Sequence, residues 1–423
     1  ANTAGNIAGS FCAGALLIPA IGIENTIALA SQFVAVVSAL FCLALLTEPK
    51  RVRLQLAGGI LVLPVLLFSV LPGWDQLMMN AGVYIYAGLY QRTARTNQMD
   101  IRAAVKLSGK TIYYKEGISA TVSVRELHSG DRGLVINGKT DASSVSDMKT
   151  QRMMGHLPMM MHPDPEKALV VGLGSGVTLA SALAHPAQQV DVIEISPEIV
   201  DASRHFALEN RNCLSDPRVR MHITDARNHL MLTDDKFDVI CNEPTNPWIV
   251  GVATLFTREY FQSLRSHLKP GGVCSAWVQA YSTTTADFKS VIATFRSVFP
   301  HVTFWRSTRN TDYIMIGSEK PLYADRHLLA QRFARAGVKL DMSEVGIEDR
   351  EDLLAHFISA PKGLAKFVAG APLLTDDNLS LEFSAPRNLY TRDAPAQGLA
   401  EGLQEAITPY MNYYPLTDTT PIN

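Results

Sequence analysis

The stretch that most constrains how this chain folds begins at Lys167 and carries the letters KALVVGLGSGVT. Its apolar run, Ala168–Val171, is typical of a buried parallel strand. Gly172, Gly174 and Gly176 follow at once. Glycine lets the backbone turn tightly and lets a ligand approach it closely. The stretch therefore predicts a strand that ends in a glycine turn open to a ligand.

The residues after this turn complete a strand–helix–strand unit. Thr178–Ala184 is compatible with a helix, and a second apolar run, Val190–Ile195, carries Glu194 near its end. A helix N-terminus offers free N–H groups, and an acid at the end of the second strand can accept both hydroxyls of a ribose. This order of elements predicts an α/β domain that binds a nucleoside.

Strand and helix patterns alternate through the rest of the middle of the chain. The predicted strands are Val219–Ile223, Phe237–Asn242, Val273–Val278, Thr303–Trp305 and Tyr313–Ile316, with a helix at Arg258–Leu268. Upstream, short strands after Lys110 predict a small β region, and Asp141–Met161 is predicted as a helix. We therefore predict an α/β fold: a doubly wound, Rossmann-like domain of the class I methyltransferase type, with a small N-terminal β region and a late antiparallel edge.

The beginning of the chain has the composition of a membrane domain. Residues 1–49 contain no Lys or Arg, and apolar stretches occupy Ile7–Ile23, Thr26–Leu46 and Leu54–Leu71. The second and third approach the roughly 20 residues that a membrane-spanning helix needs. The first is rich in small residues, as closely packed membrane helices are. We predict four regions: transmembrane helices in 1–73, a β-rich region in 74–158, the nucleoside-binding domain in 159–320 and a helical extension in 321–423.

Two observations bear on the side of the membrane. Lys50, Arg51 and Arg53 favour a cytoplasmic loop between the second and third apolar stretches, and a third span would then place the rest of the chain outside. A nucleoside cofactor, however, is cytosolic. We give more weight to the cofactor than to three charges and expect the soluble part in the cytoplasm.

Composition argues against several classes of partner. A net charge of −2 gives no electrostatic attraction for nucleic acid. The five cysteines are scattered without a C-x-x-C pair, which argues against a zinc site and a disulfide framework. His156 and His162 match no metal-site spacing, so we interpret them as structural and the methionines between and around them as helix core. We expect no metal.

Further polar and aromatic side chains follow the predicted strands, where ligands bind in such sheets. Asp225 follows Val219–Ile223 and is placed to accept a hydrogen bond from an adenine amino group. Glu243 and Asn246 follow the next strand, and Trp248 offers a stacking face. Together they predict one ligand site along the carboxyl edge of the sheet.

The segments VVGLGSG, VIEIS, TDARNHL and FDVICNEPTNPW, with DMKTQRMMGHLPMMMHPDP upstream, resemble the spermidine synthase (polyamine aminopropyltransferase) family. The chain resembles most closely its bacterial membrane-anchored branch, in which transporter-like spans precede the synthase-like domain. The resemblance implies a transferase that uses decarboxylated S-adenosylmethionine or S-adenosylmethionine as co-substrate and a small-molecule amine as acceptor. It also implies the bacterial inner membrane, and a homodimer or a subunit of a membrane complex.

The resemblance further implies roles for individual residues by position. Gln151 and the glycine loop, including Ser175, contact the sulfonium end of the co-substrate. Glu194 holds the ribose hydroxyls and Asp225 the adenine. Glu243 stands where the family has an aspartate that accepts a proton from the attacking amine.

Four positions depart from the family pattern. An acid of the glycine loop is Ser175 here, the second acid of an Asp-x-x-Asp loop is Asn246, and a tyrosine and a glutamate that help bind the diamine are Thr150 and Gln279. A buried ammonium without an acidic partner is costly. We therefore expect an acceptor other than putrescine, in a pocket walled by Tyr281 and Trp277.

Three functions stay open at this point. The first is a membrane-bound aminopropyltransferase. The second is an S-adenosylmethionine-dependent methyltransferase, supported by Ser175 and by the likeness of NEPTNPW to the Asn-Pro-Pro-aromatic loop of amino-methylating enzymes. The third is a non-catalytic, nucleoside-binding subunit of a membrane assembly. Asp376 and Asp377 either cap a helix or reach the site from the C-terminal region.

Overall fold

A computed structural model describes residues 2–308, 311–322 and 326–389 of the chain. The described residues form two compact units. The first takes in the residues up to Gly130 together with Val135–Thr140, and the second takes in Asp131–Leu134 and the residues from Asp141 onward. Residues 390–423 of the predicted C-terminal extension lie outside the described residues. The predicted division into four regions stays a prediction.

The first unit begins with long apolar helices and continues with short helices and a sheet. Its helices are α1 (Asn2–Phe11), α2 (Ile18–Leu45), α3 (Lys50–Val70), α4 (Gln76–Met79), α5 (Val83–Thr96) and α6 (Ile101–Lys106), with a π-helical stretch at Cys12–Leu17. The small predicted β region forms a sheet in chain order, of strands β1 (Lys110–Glu116), β2 (Thr121–Glu126), β3 (Arg132–Ile136) and β4 (Lys139–Ser143). The boundary between the units falls within β3 and β4.

Two helices in the described chain are long and apolar enough to cross a membrane, Asn2–Leu45 and Lys50–Val70. Only 11% of the most apolar window of the first and 6% of that of the second are buried, whereas a core helix of a soluble protein is mostly buried. The three predicted apolar stretches fall on these two helices. Gly22, with φ 82° and ψ 167°, interrupts the first one, and the Glu116 carboxylate accepts a hydrogen bond from the Ile23 N–H there (2.5 Å).

The second unit alternates strands and helices. Its strands are β5 (Lys167–Val171), β6 (Gln189–Glu194), β7 (Val219–Ile223), β8 (Phe237–Asn242), β9 (Leu268–Gln279), β10 (His301–Thr308), β11 (Asp312–Ser318) and β12 (Phe357–Ser359). Its helices are α7 (Met148–Met161), α8 (Val177–Leu183), α9 (Pro197–Ser203), α10 (Ala226–Leu232), α11 (Arg258–Ser266), α12 (Thr285–Val298), α13 (Arg326–Phe333), α14 (Ala336–Ser343), α15 (Arg350–Leu354), α16 (Pro361–Phe367) and α17 (Ser380–Asn388).

The large sheet has the strand order β12-β10-β11-β9-β8-β5-β6-β7. The strands from β9 to β7 are parallel, and β11, β10 and β12 pair antiparallel at the other edge. This confirms the predicted doubly wound sheet with a late antiparallel edge. The chain goes from β5 to β6 and β7 and then returns to β8 on the other side of β5. Ligands bind beyond the carboxyl ends of the strands at such a switch point, so the loops after β5 and β8 define the candidate site.

Helix α7 packs against the sheet and against α8. Met153, Met154 and Met160 are buried in one apolar cluster with residues of β9 and β11, as the prediction of a methionine-rich core requires. At Gly155 a Cβ would lie only 2.6 Å from Ser181 of α8, so the two helices approach closely. The predicted start of this helix at Asp141 is wrong, because residues 139–143 are paired in β4 and α7 begins at Met148.

Candidate functional site

The glycine loop after β5 has the backbone geometry that its sequence predicts. Gly172, Gly174 and Gly176 have φ angles of 90°, 53° and 85°, a region that favours glycine. A Cβ at position 172 would lie 2.7 Å from the backbone oxygen of Glu243, so the loops after β5 and β8 touch there. A Cβ at position 174 would meet nothing within 4 Å, so this part of the loop is open.

Glu194 lies at the end of β6, under the glycine loop. Its carboxylate accepts hydrogen bonds from the Leu173 N–H and the Ser196 N–H, each at 3.0 Å. Burial raises the pKa of this carboxyl, and the N–H groups oppose that effect by stabilising the charged form. The ribose-binding role stays a prediction.

Asp225 stands apart from the other predicted site residues. It is the N-cap of α10, and its carboxylate accepts a hydrogen bond from the Asn228 N–H at 2.9 Å. The neighbouring Thr224 N–H donates to the backbone carbonyl of Glu194, also at 2.9 Å, which keeps the ends of β6 and β7 together. Asp225 itself is half-buried, and its adenine-binding role stays a prediction.

Glu243 follows β8 and lies against the first turn of α8. The Thr178 hydroxyl is 2.5 Å from its Oε2 atom. Burial raises the pKa of Glu243 to about 7, the Thr178 hydrogen bond opposes this rise, and the negative charges of Asp147 and Asp312 add to it. A carboxyl with this pKa exchanges its proton near neutral pH, which is what a general base requires.

Gln151 of α7 joins this group from the other side of the glycine loop. The Ser175 hydroxyl donates to the side-chain oxygen of Gln151, whose amide nitrogen donates to the Ser143 carbonyl at 3.2 Å. The Thr178 hydroxyl also lies 3.1 Å from the Gln151 backbone carbonyl. A hydroxyl has only one proton to donate. When Glu243 is ionised, the Thr178 hydroxyl donates to its carboxylate. When Glu243 is protonated, Glu243 donates to the Thr178 hydroxyl, which then donates to the Gln151 backbone carbonyl.

The side chains after β8 and β9 form a second group. The Asn246 amide donates to the Gln279 side-chain oxygen and to the Tyr281 hydroxyl, the latter at 3.0 Å. Trp248 packs edge-on against Tyr281, with ring centroids 5.8 Å apart. Asn246 is fully buried, yet its Oδ1 atom has no hydrogen-bond partner within the part of the chain that the structure describes. A buried acceptor in this condition favours a ligand that brings an N–H or O–H donor.

Sequence reasoning missed three residues of this site. Thr178 was predicted only as the start of a helix, although its contact with Glu243 places a hydroxyl at the candidate base. Asp147 and Asp312 act on Glu243 through their charges, and Asp312 also accepts a hydrogen bond from Trp277 Nε1 at 3.0 Å. Asp312 lies beside a predicted strand without a motif of its own, and Asp147 begins the segment DMKTQRMMGHLPMMMHPDP but was given no role.

A cavity of about 680 Å³ lies next to this site but does not coincide with it. Its lining includes Met148 and Lys149 of α7 and Ser307 and Thr308 of β10, and it contains none of the predicted site residues. Thr150 faces the same strand, since its hydroxyl lies 3.0 Å from the Ser307 hydroxyl and 3.3 Å from that of Thr308. The hydroxyl at position 150 is therefore already engaged within the protein.

The remaining candidates have partners within the fold. His162 accepts a hydrogen bond from the Asp164 N–H at 3.2 Å, and Asp376 forms an ion pair with Arg227 and accepts a hydrogen bond from the Thr257 hydroxyl at 2.8 Å. No group of three or more His, Cys, Asp or Glu side chains suited to a metal ion occurs among the described residues.

Comparison with known proteins identifies relatives of the second unit. Residues 148–312 match the model of the spermine/spermidine synthase domain. A polyamine aminopropyltransferase of Leptospira biflexa serovar Patoc is 29% identical over 201 residues, which are 47% of this chain and 71% of the relative. A spermidine synthase of Dictyostelium discoideum is 30% identical over 173 residues, 40% of this chain and 60% of the relative.

One further relative and one solved structure are also similar to this chain. A polyamine aminopropyltransferase of Archaeoglobus fulgidus is 34% identical over 163 residues, 38% of this chain and 59% of the relative. The crystal structure of spermidine synthase from Thermotoga maritima covers 61% of this chain and 87% of its own, with 22% identity and a TM-score of 0.49. The glycine loop, Glu194, Asp225 and the loop after β8 all lie within the matched domain. Residues 148–312 of this chain are therefore similar to the spermine/spermidine synthase domain and to proteins named as polyamine aminopropyltransferases and spermidine synthases.

Proposed function

We propose that this chain is a membrane-anchored aminopropyltransferase that uses decarboxylated S-adenosylmethionine and an amine acceptor other than putrescine. The observation that carries the proposal is the position of Glu243. A carboxyl with a pKa of about 7 lies on the loop that touches Gly172, so a proton acceptor adjoins the loop assigned to the sulfonium end of the co-substrate. The curated relatives of the matched domain are aminopropyltransferases by name.

The reaction requires little covalent chemistry from the protein. The lone pair of the acceptor nitrogen attacks the propyl carbon, the bond from that carbon to the sulfonium breaks, and its electron pair stays on sulfur, which leaves neutral methylthioadenosine. The new ammonium loses a proton to the Glu243 carboxylate. The residues of the site align the two reactants and accept this proton, and both effects accelerate transfer of the aminopropyl group from the sulfonium to the amine.

The nucleoside half of the co-substrate is assigned to the loops after β5, β6 and β7. Glu194 accepts the ribose hydroxyls, and Asp225 accepts the adenine amino group. The open loop around Gly174, with Ser175 and Gln151 behind it, takes the sulfonium end. The N–H groups of Leu173 and Ser196 fix the position of the Glu194 carboxylate for this role.

Positions 150, 246 and 279 of the acceptor half carry neutral side chains. Asn246 and Gln279 are amides bound to each other, and the Thr150 hydroxyl is bound to residues of β10. The free Oδ1 atom of Asn246 suits one N–H or O–H donor of the acceptor. A diamine brings a second ammonium that these positions do not neutralise, whereas an amine with a hydroxyl at its far end does not incur this cost.

Binding and turnover test this proposal together. The detergent-solubilised chain is titrated in a calorimeter with decarboxylated S-adenosylmethionine, S-adenosylmethionine and methylthioadenosine, and then incubated with putrescine or with the isosteric aminobutanol. Tighter binding of the decarboxylated form and faster transfer to aminobutanol are expected. Preference for S-adenosylmethionine would favour the methyltransferase alternative, and binding without turnover would favour a non-catalytic subunit.

We propose that α2 and α3 anchor the protein in the bacterial inner membrane, with the second unit in the cytoplasm where the co-substrate is found. Large apolar side chains on these helices are exposed, among them Phe33 at 70% and Val70 at 81%. Carbonate washing of cell membranes tests the anchoring, since an integral protein stays in the pellet and release into the supernatant would contradict it. Assembly as a homodimer or as a subunit of a membrane complex is implied by the family resemblance.

A further inference from the structure

A buried ionic cluster joins the C-terminal helices to the back of the candidate site. Its centre is Asp341 of α14, which is fully buried and lies outside the matched residues 148–312. Its carboxylate pairs with Arg152 of α7 at 3.1 Å, with Arg211 and with His156 at 3.0 Å. Glu344 completes the cluster, 3.0 Å from Arg152. Two carboxylates therefore balance two guanidinium groups.

One side of the cluster reaches the glycine loop through α7. Arg152 is fully buried, and it also donates to the Glu209 carbonyl at 2.9 Å. The residue before it, Gln151, accepts the hydrogen bond of the Ser175 hydroxyl. Because the Arg152 side chain ties this turn of α7 to Asp341, the ion pair fixes the helix position from which Gln151 reaches Ser175.

The other side of the cluster reaches the same loop through the segment after α9. Arg211 has a φ of 54°, a left-handed conformation that is uncommon for arginine, and its guanidinium pairs with Asp341. The preceding Asn210 donates to the Ser175 carbonyl at 2.7 Å, and its amide lies 3.0 Å from where a Cβ of Gly176 would be. Asp341 thus holds both segments that contact residue 175.

The histidines of the cluster extend it as a neutral chain. Burial lowers the pKa of His156, and it lowers that of His185 well below the usual value, so both rings are neutral at neutral pH. His156 then donates from Nε2 to Asp341 and accepts at Nδ1 from His185 Nε2, at 3.0 Å each. His185 Nδ1 is left as an acceptor, and it is a buried atom without a partner among the described residues. Asp341 therefore accepts a hydrogen bond from His156 and forms ion pairs with Arg152 and Arg211.

We propose that Asp341 is a positioning residue for the sulfonium end of the co-substrate site, through Arg152–Gln151 on one side and Arg211–Asn210 on the other. This inference rests on the proposed function, because it concerns the same glycine loop. It assigns a role to the C-terminal helices, which lie outside the matched synthase domain. Through Asp341 these helices fix the two segments that contact the glycine loop of that domain. The ribose and adenine residues, Glu194 and Asp225, are not held by this cluster.

The test separates the two ends of the co-substrate. The full chain in detergent is titrated with decarboxylated S-adenosylmethionine and with adenosine, which lacks the sulfonium end. Asp341→Asn is expected to weaken binding of the first about tenfold and to leave adenosine binding within about twofold, effects of the size seen for changes in a coupled network. Asp349→Asn, which alters a carboxylate that caps α15 outside the cluster, is the matched control and is expected to change neither affinity.

The other outcomes would contradict either the positioning role or the proposed function. Equal weakening of both ligands by Asp341→Asn, or no weakening of either, would overturn the positioning role. Failure of the unaltered chain to bind either ligand would overturn the proposed function instead. If Asp341→Asn does not fold, the two titrations are made with Glu344→Gln instead. This substitution weakens the same guanidinium pairs from the partly exposed edge of the cluster. The same preferential loss of the sulfonium-bearing ligand is expected, and its absence would again contradict the proposal.

Discussion

The proposed nucleoside end and the proposed acceptor end of the candidate site are built in different ways. Apart from Asp225 after β7, the proposed nucleoside end consists of backbone N–H groups, glycines with positive φ and one buried acid, Glu194, all within the strand–helix–strand unit of β5 and β6. The acceptor end consists of side chains from separate strands, such as Asn246 and Gln279, that bond to one another. The first end depends on backbone geometry and the second on side-chain identity. Substitutions can therefore change the acceptor without changing the co-substrate.

The largest effect is expected from removing the acid of the nucleoside end. Glu194→Ala should weaken adenosine binding roughly 100-fold, because hydrogen bonds to a charged group contribute about 1.5–3 kcal/mol each. Calorimetric titration measures it. Asp235→Asn, an exposed carboxylate paired with Lys167 at the opposite end of β5, is the control and should leave binding unchanged. Unchanged affinity in Glu194→Ala would remove the ribose assignment.

A matched glycine pair tests how far backbone geometry controls this end. Gly172→Ala places a Cβ 2.7 Å from the Glu243 carbonyl and should cost about 3 kcal/mol in the free energy of unfolding, the upper range for local strain. Gly174→Ala has open space around it and should cost only about 1 kcal/mol, since the left-handed conformation alone opposes it. Denaturant unfolding of the two variants compares them. Equal losses would mean that contact between the loops after β5 and β8 is unimportant.

A smaller effect is expected at the acceptor end. Gln279→Glu restores an acid where a second ammonium would lie, and should raise the use of putrescine relative to aminobutanol roughly tenfold, which corresponds to about 1.4 kcal/mol. Competition between the two amines, read by mass spectrometry of the products, measures the ratio. Gln188→Glu makes the same change on an exposed loop and serves as the control. An unaltered ratio would show that residue 279 does not contact the acceptor.

Local sequence patterns predicted much of the fold. The strands Val219–Ile223 and Phe237–Asn242 have the predicted bounds. Phe237–Asn242 is buried throughout, as a short apolar run between turn residues indicates, whereas Val219–Ile223 is a partly exposed edge strand. Asp141 was placed in a helix, and its place in β4 depends on pairing that no local pattern reveals. The break at Gly22 was not predicted either, since an apolar stretch does not indicate where a helix is interrupted.

The site divides in the same way. The glycine loop and Glu194 were indicated by one continuous segment, and the structure places them in contact. The Thr178–Glu243 contact joins residues 65 positions apart, and the His156–Asp341 contact joins residues 185 positions apart. Neither pair has a motif, so both required the three-dimensional arrangement. The predicted roles of the site residues remain to be measured.

The central claim is that Glu243 accepts the proton of the attacking amine, and the pH dependence of kcat/KM tests it most directly. Below its pKa of about 7 Glu243 is protonated and cannot act as a base, and the acceptor amine must also lose a proton, with a pKa near 10. The unaltered chain should therefore show log kcat/KM rising with a slope of about two below pH 7 and about one above it.

In Glu243→Gln the slope should be about one throughout, with kcat lowered about 10²- to 10⁴-fold and co-substrate binding retained. Thr178→Val should keep the break in slope and move it to higher pH, because the Thr178 hydrogen bond lowers the pKa of Glu243. A break near pH 7 that persists in Glu243→Gln, or transfer at an undiminished rate, would contradict the assignment of Glu243 as the base.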